Sequence, residues 1–325
     1  NKNISTIYFG GGTPSIIKSD HIEEIILQIK NKFNVQKNSE ITLEVNPDDV
    51  SKDKLKSWKK IGVNRISLGV QTFNDHLLEK LNRTHTAEVA ISAIREIKKI
   101  YLNYSIDLMF GIPGSTKESI RKDLSNLKKI NPPHVSIYNM TLEERTVFYK
   151  LFQKNKISLP SENLVLEQYD LILNKLESIG YENYEISNYA KKNFHSKHNS
   201  NYWNDKEYVG FGPSAHSYDR KYRYWNVRDN KEYIKLIEEE KKVFDREKLS
   251  KKEKINEHIL TRIRTNKGID QKELLIKFDI DLFKEKSNEI KMLEKEKLLS
   301  VDKSVLRLTN EGKKVSDSIT EKITY

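Results

Sequence analysis

Polar residues or glycines lie in, or directly after, five short segments that are rich in β-branched and aromatic residues. In chain order these features are Gly10 to Thr13, Glu44, Gln71, Asp107, and the pair Asn139 and Thr141. Each of them has an ordinary explanation when taken alone, such as a tight turn or a helix cap. Parallel strands, however, present their carboxyl ends at one edge of a sheet, where α/β proteins build their sites. The five features together therefore predict one polar ligand-binding rim.

The three consecutive glycines of the stretch YFGGGTPS indicate that something approaches this backbone closely. The stretch lacks the Gly-Lys-Ser/Thr ending that holds a triphosphate in a P-loop. It also differs from the spaced Gly-x-Gly-x-x-Gly pattern of dinucleotide-binding folds. Neither of these two phosphate-binding loops is therefore predicted here.

Alternating strands and helices are predicted to position the rim. The predicted strands are Thr6 to Phe9, Ile41 to Val45, Arg65 to Val70, Ser105 to Phe110 and Val135 to Tyr138, with a weaker one at Tyr184 to Ser187. The predicted helices are Asp20 to Phe33, Ser51 to Ile61, Asn74 to Leu81, Thr86 to Ile100 and Lys117 to Ile130, the last opened by a capping box of Ser115 and Glu118. Strands separated by helices of this length indicate βαβ units and a parallel sheet, either open or curled into a barrel.

Composition limits the classes of function. The 325 residues carry a net charge of +11, which would suit a nucleic-acid partner if the cations were clustered. The lysines are instead scattered among acidic and apolar residues, so solvated faces are the favoured interpretation, and no nucleic-acid partner is expected. No apolar run is long enough to cross a bilayer and no leader sequence opens the chain, so we expect a cytoplasmic protein. The chain contains no cysteine, which excludes disulfides and thiolate-bound metals within these residues.

A series of motifs resembles those of the oxygen-independent coproporphyrinogen oxidase-like radical SAM family. In order, the motifs are YFGGGTPS, LEVNP, GVNRISLGVQTFND, LNRTHT, IDLMFGIPGST, YEISNYA, HNSNYW and GFGPSAHSY. The similarity runs from Thr6 to about Tyr218 and continues more loosely beyond. It implies an α/β fold, namely a partial (β/α) barrel of the radical SAM type, with a small C-terminal winged-helix-like α+β domain. It also implies S-adenosylmethionine as the cofactor.

The resemblance assigns the rim residues to this cofactor. Gly11, Gly12 and Thr13 would take its methionyl end. The other implied cofactor contacts are Glu44, Gln71, Arg83 and Asp107. These residue types suit the ligand, since an arginine pairs with a carboxylate in a forked geometry and acidic side chains accept hydrogen bonds from ribose hydroxyls or an ammonium group. No catalytic residue is assigned.

The sequence departs from the family in its iron–sulfur ligands. Family members hold a 4Fe-4S cluster with a Cys-x-x-x-Cys-x-x-Cys run ahead of the glycine loop, and such clusters need thiolates. We expect this run, with roughly one βα unit of 30 to 50 residues, to precede Asn1. The alternative is a natural member that has lost the cluster. These 325 residues hold no metal ligand for it and could not cleave the cofactor reductively.

The resemblance leaves two functions open. One branch of the family is a heme chaperone, which binds heme as cargo and passes it to respiratory proteins, some of them membrane-associated. The other is the coproporphyrinogen III dehydrogenase of porphyrin biosynthesis, which performs an oxidative decarboxylation. The motif HNSNYW favours the chaperone, since His198, Asn199, Tyr202 and Trp203 match a pattern of that branch, and imidazole is a suitable iron ligand. His195 and His216 are further candidates. Whether the chain is an enzyme, and its oligomeric state, stay open.

The last part of the chain is predicted to be a separate module. We place the radical SAM core and its extension at residues 1–235 and the C-terminal domain at 236–325. The pattern of the second part reads as helix, short helix, longer helix, a hairpin around Asp302 and Lys303, and a helix that opens at Asn310, which is typical of a winged helix. Winged helices often bind DNA, but the predicted recognition helix, Leu282 to Leu293, mixes Lys with Glu and Asp and has no basic face. Packing or partner docking is the favoured role.

Overall fold

Strands and helices alternate through the first part of the chain, as the sequence predicts. The structure is a computed structural model that describes residues 3–144 and 146–325. The chain divides into two units, Asn1–His198 and Asn199–Tyr325. The predicted domain boundary between residues 235 and 236 stays a prediction.

A seven-stranded sheet curls into a half barrel and organises the first unit. Its strand order is β1-β2-β3-β4-β5-β7-β6, with the first five strands parallel and the last two antiparallel. Its strands are β1 Asn3–Phe9, β2 Asn34–Val45, β3 Arg65–Gln71, β4 Tyr104–Phe110, β5 His134–Asn139, β6 Glu182–Glu185 and β7 Asn188–Ala190. Its helices are α1 Ser19–Lys32, α2 Lys52–Lys60, α3 Asp75–Lys80, α4 Ala87–Ile100, α5 Lys117–Ile130, α6 Val147–Gln153 and α7 Glu162–Ser178. The predicted partial (β/α) barrel of the radical SAM type is confirmed.

The core of this unit lies between the helices and the outer face of the sheet. Alternate residues of the strands, such as Ile41 and Leu43 on β2, pack against the buried faces of α1, α2 and α4. Trp58 and Ile94 are completely buried in this layer. Because successive strand residues point to opposite faces, the residues between them are left for the inside of the half barrel.

A bulge sets the register between the first two strands. Ile4 pairs with Val35, but Thr6 pairs with Glu40, so β2 advances further than β1 over the same stretch. The extra residues 36–38 are exposed. The hydroxyl of Ser39 closes the bulge by donating to the carbonyl of Ile4, at 2.8 Å. The bulge thereby places Thr6 directly beside Glu40.

Two local predictions in this unit need correction. The weak strand expected at Tyr184 to Ser187 is confirmed only at Tyr184 and Glu185, which end β6, while Ile186 and Ser187 form the turn to β7, which pairs antiparallel with β6. Glu185 organises the turn, since its carboxylate accepts hydrogen bonds from the amide of Ser187 and the side chain of Asn188. Such local hydrogen bonding competes with continuous strand pairing.

The capping box of α5 also differs from the prediction. It consists of Thr116 and Ser119, not Ser115 and Glu118. Ser115 is buried instead, and its hydroxyl accepts a hydrogen bond of 3.0 Å from the amide of Gln168. Ser115 therefore makes a tertiary hydrogen bond to α7 and does not cap α5, although its spacing in the sequence predicted the cap.

Helix α8, Lys197–Trp203, follows this sheet, and the division between the two units falls after His198. The second unit then forms a three-stranded antiparallel sheet of order β10-β9-β8. Its elements are β8 His216–Tyr218, β9 Tyr222–Asn226, α9 Asn230–Glu238 and β10 Phe244–Lys248.

The winged-helix-like module completes the second unit, as predicted. Its elements are α10 Lys251–Ile263, β11 Ile269–Asp270, α11 Gln271–Phe278, α12 Leu282–Glu285, α13 Ser287–Lys295, β12 Leu299–Asp302, β13 Val305–Leu308, α14 Asn310–Lys314 and α15 Ser316–Ile323. Twelve buried residues, from Ile255 to Ile323, form its own core. The predicted hairpin turns at Lys303, which has a φ of 56°.

The predicted recognition helix of this module is broken. Lys286 separates α12 from α13 with a non-helical ψ of 28°. Neither glycine nor proline marks the break in the sequence, and we have no physical account of it. In the described ranges 3–144 and 146–325, no helix combines the length and the apolar character that a membrane crossing would need.

Candidate functional site

A row of polar side chains lines one face of β1 and β2. On β2 the row is Glu40, Thr42 and Glu44, while Thr6 and Tyr8 lie beside it on β1 in register with Glu40 and Thr42. The intervening residues of β2 are apolar and buried in the core. Period-two alternation therefore turns this polar row into the half barrel.

Tyr8 and Glu44 are joined by a hydrogen bond at the carboxyl end of this row. The phenol of Tyr8 donates to Oε1 of Glu44 at 2.6 Å, and the amide of Gly11 donates to Oε2 at 3.1 Å. Burial raises the pKa of Glu44 above its ordinary value, against the lowering effect of these two bonds. Burial, together with the charge of Glu44, also raises the pKa of Tyr8, so its hydroxyl stays protonated and remains a donor.

The three glycines after β1 differ in whether the structure could accept a side chain there. A Cβ on Gly10 would lie 2.5 Å from the ring of Tyr8 and 2.8 Å from the carboxyl group of Glu44. Gly11 has a φ of 88°, which disfavours any side chain. A Cβ on Gly12 would meet nothing within 4 Å, and its φ is not in the left-handed region. The protein's own structure thus requires Gly10 and Gly11 but not Gly12.

Asp107 on β4 joins the same group of residues. Its carboxylate accepts hydrogen bonds from Ser67 at 2.8 Å and from Ser105 at 3.1 Å. Burial raises the pKa of Asp107, and the nearby charge of Asp107 raises the pKa values of Glu44 and Tyr8 in turn. Asp107, which lies in the middle of β4 rather than at its end, is therefore within electrostatic range of Glu44 and Tyr8.

The other rim candidates lie beside this group through strand order. Thr13 follows the glycines, and its hydroxyl accepts from the side chain of Asn46 at 3.4 Å. Gln71 ends β3, the neighbour of β2 and β4, with a φ of 69°. Asn139 ends β5 and packs against Gly111.

Arg83 lies after α3 and is partly buried. Desolvation lowers the pKa of Arg83, and no carboxylate among residues 3–144 and 146–325 offsets that cost. Its charge also lowers the pKa of His85, whose Nε2 lies 3.1 Å from the carbonyl oxygen of Val70 near the end of β3. Arg83 is therefore a cation near the end of β3 that would gain from an anionic ligand.

His198, the principal heme candidate, lies against β1 and β2. Its ring stacks on Tyr8 with the centroids 4.7 Å apart, and its Nδ1 lies 3.0 Å from the hydroxyl of Thr6. Its backbone amide donates to the carboxylate of Glu40 at 3.0 Å. Burial lowers the pKa of His198 to about 4, so the imidazole is neutral at pH 7. Tyr8 thus contacts both the heme candidate and Glu44.

The other motif residues share α8 with His198. Asn199, Tyr202 and Trp203 follow it along the same short helix. Tyr202 is 42% exposed, and its ring meets that of Tyr208 edge to face at 4.8 Å.

The two further histidines lie elsewhere. His195 precedes α8, stacks on Tyr184 at 4.3 Å, and has its Nε2 3.1 Å from the carboxylate of Glu182. His216 is exposed at the start of β8. His195 therefore contacts two residues of β6, Glu182 and Tyr184.

Three residues of this arrangement were missed from the sequence: Thr6, Tyr8 and Glu40. Their signal is the alternation of polar and apolar residues in EITLEV, which starts at Glu40 and identifies a strand with one polar face. Thr6 and Glu40 lie several residues before the carboxyl ends of β1 and β2. A site prediction that starts from the ends of strands therefore does not include them.

Comparison with known proteins identifies the family. Residues 1–127 match the Radical SAM superfamily, and residues 249–314 match the HemN C-terminal domain. The protein named heme chaperone HemW in Lactococcus lactis is 35% identical over 322 residues, which cover 99% of this chain and 85% of that protein. The chain belongs to the heme chaperone HemW family. Its relative of the same name in Bacillus subtilis is 35% identical over 320 residues, covering 98% of this chain and 84% of the relative.

A solved structure supports the fold of this HemW family member. It is the coproporphyrinogen III oxidase HemN of Escherichia coli, described as a radical SAM enzyme, which superimposes with a TM-score of 0.84 over 99% of this chain and 78% of that one. The two sequences are 22% identical, so the likeness establishes the fold alone. The family membership comes from the HemW relatives.

Proposed function

We propose that the chain binds heme through His198 and passes it to heme-accepting respiratory proteins. The observation that supports this most is the similarity to heme chaperones over almost the entire chain. The position of His198 agrees with it, because its side chain is held by contacts to Thr6 and Tyr8 rather than left mobile on the surface. The acceptor proteins belong to the proposal as well.

The protonation of His198 suits an iron ligand. Only a neutral imidazole has a lone pair for a metal, so a protonated histidine must first lose a proton. Because burial lowers the pKa of His198 to about 4, this requirement is met across the physiological pH range. Tyr202 is 42% exposed, and an exposed aromatic ring can pack on a porphyrin face.

A hemin titration of the full chain tests the proposal. The wild-type protein should give a saturable heme spectrum, and His198→Ala should lose the histidine-ligated band. His21→Ala is the matched control, since this exposed histidine lies on α1 and should leave the spectrum unchanged. An unchanged spectrum for His198→Ala would reject this residue as the ligand. Transfer is then followed by mixing heme-loaded protein with the apo form of a respiratory heme protein.

S-adenosylmethionine is the cofactor that the radical SAM family implies, and the rim residues fit it. A Cβ on Gly12 would meet no protein atom within 4 Å, so packing within the protein does not explain the glycine. A ligand that approaches the backbone closely at this position would explain it. Arg83 is a partly buried cation without an offsetting carboxylate among the described residues, which suits the carboxylate of the methionyl group. Glu44 and Asp107 supply acceptors for its ammonium and hydroxyl groups. The cofactor would bring a positively charged sulfonium to this acidic rim.

The iron–sulfur cluster of the family does not fit these residues. A 4Fe-4S cluster needs thiolate ligands, and the 325 residues contain no cysteine. The proposed heme binding through His198 is independent of this cluster.

A further inference from the structure

Thr6 and Glu40 form a pair that contacts His198 from two neighbouring strands. The two residues are direct register partners of β1 and β2, so their side chains emerge side by side on the inner face. His198 lies 192 residues from Thr6 and 158 from Glu40 along the chain. The contacts are therefore tertiary and independent of local sequence.

Glu40 holds the start of α8. Its carboxylate accepts hydrogen bonds from the backbone amides of Lys197, at 3.2 Å, and His198, at 3.0 Å. The first amides of a helix have no partner within the helix, and here a side chain from another element supplies one. Glu40 is only 4% exposed, and burying a carboxylate is costly unless donors surround it. These two amides, with the hydroxyl of Ser196 at 3.5 Å, provide them.

Thr6 acts on the ring of the same histidine. Its hydroxyl lies 3.0 Å from Nδ1 of His198. When Nδ1 carries the proton and donates to Thr6, the lone pair of the neutral ring resides on Nε2. A second residue that holds one nitrogen of a metal-binding histidine in this way fixes both its tautomer and its orientation.

We propose that Thr6 and Glu40 are positioning residues that orient His198 for heme iron, Glu40 through the backbone of α8 and Thr6 through Nδ1 of the ring. This rests on the proposed ligation by His198. Neither residue touches the heme iron itself. Removing either of them should weaken heme binding while His198 is still present.

Glu40→Gln tests the backbone contact. The amide keeps the size of the side chain but offers one acceptor oxygen and a donor NH₂ group, so one of the two backbone amides meets a donor. Loss of an outer contact to a metal ligand typically lowers affinity about 10- to 100-fold, and we expect a loss in this range. Circular dichroism and thermal melting show whether the heme-free variant keeps its fold. A heme spectrum shifted towards that of His198→Ala would support an effect on ligation.

Thr6→Val tests the ring contact with two matched controls. Thr6→Ser keeps the hydroxyl and should retain wild-type affinity. Thr42→Val changes a buried threonine of the same polar row, whose hydroxyl has no partner among the described residues, and should also be neutral. Nitrogen NMR of the heme-free full chain reads the tautomer directly: wild-type and Thr6→Ser protein should carry the His198 proton on Nδ1, and Thr6→Val should show a mixture.

The outcomes separate this inference from the proposed function. If wild-type protein binds heme, His198→Ala does not, and both Glu40→Gln and Thr6→Val bind like wild type, the positioning role is overturned while ligation by His198 stands. A wild-type tautomer with its proton on Nε2 would overturn the role of Thr6. If His198→Ala binds heme normally, the proposed ligand itself is wrong.

Discussion

The phenol of Tyr8 donates a 2.6 Å hydrogen bond to the carboxylate of Glu44. The ring of the same tyrosine stacks on the imidazole of His198, with the centroids 4.7 Å apart. One side chain of β1 therefore contacts both the predicted cofactor rim and the predicted heme ligand.

Tyr8→Phe should change Glu44 while leaving the ring in place. The lost donor stabilises the charged carboxylate, so its removal should raise the pKa of Glu44 further above the ordinary value. The free energy of unfolding should fall by about 1 kcal/mol. Carbon NMR of the Glu44 carboxyl group during a pH titration measures the first effect, and urea unfolding measures the second.

Tyr104→Phe is the matched control for this change. Tyr104 is 3% exposed, and its hydroxyl has no partner among the described residues. Deleting an unpaired buried hydroxyl should leave stability unchanged or raise it slightly. Equal losses for the two variants would contradict the importance of the bond between Tyr8 and Glu44.

Gly10 and Gly12 should respond differently to alanine. Gly10→Ala drives a Cβ into Tyr8 and Glu44, and we expect it to lower the unfolding free energy by about 1 to 3 kcal/mol. Gly12→Ala meets open space, so its effect on stability should stay within about 0.5 kcal/mol. It should instead weaken binding of S-adenosylmethionine, measured by calorimetric titration. Unaltered cofactor binding by Gly12→Ala would argue against this ligand at the rim.

Asp123 should make stability depend on pH. Its buried carboxylate accepts hydrogen bonds from the amide of Phe73 at 2.7 Å and the hydroxyl of Thr72 at 2.8 Å, yet burial raises its pKa from 3.8 to about 6. The folded state therefore binds the proton more tightly than the unfolded chain, and this contribution to stability is lost as pH rises through that window.

Asp123→Asn isolates this contribution, because its side chain is neutral at every pH. Relative to the variant, the wild-type protein should lose about 2 kcal/mol of unfolding free energy between about pH 4 and pH 7. Urea titrations of both proteins across this range give the difference directly. Parallel curves for the two proteins would show that the pKa of Asp123 is not raised.

Gly312 should be essential to the winged-helix-like module. A Cβ at this position would overlap the carbonyl group of Leu298. Since a backbone atom cannot move aside like a flexible side chain, Gly312→Ala should cost about 3 kcal/mol of unfolding free energy. Glu321→Ala, which changes an exposed residue of α15 in the same module, should cost about 0.5 kcal/mol or less. Thermal melting of both variants compares them.

The parallel strands could be predicted because their apolar runs are bounded by turns and separated by helices of regular length. The parallel order of the strands then predicted that Glu44 on β2 and Asp107 on β4 lie near each other, although they are far apart in sequence. Asp107 nevertheless lies in the middle of its strand and not at the end, which the strand pattern alone did not distinguish.

Glu40 could not be assigned its role in this way. Its contacts are backbone amides of α8, and no residue type in the sequence identifies a backbone donor 158 positions away. The prediction that Ser115 caps α5 was wrong for a related reason, since its hydrogen bond with Gln168 replaces the local capping contact. Tertiary hydrogen bonds of this kind depend on how elements pack, which spacing alone does not determine.

The bulge in β2 is a suitable position for a fluorescent label that reports heme binding. Residues 36–38 are exposed, and the carbonyl of Asn38 accepts a hydrogen bond from Lys197, the residue before His198. Because the chain contains no cysteine, Lys37→Cys would create a single thiol for attaching a fluorophore. Heme bound at His198 would quench the emission of that dye, so loading and release could be followed in real time.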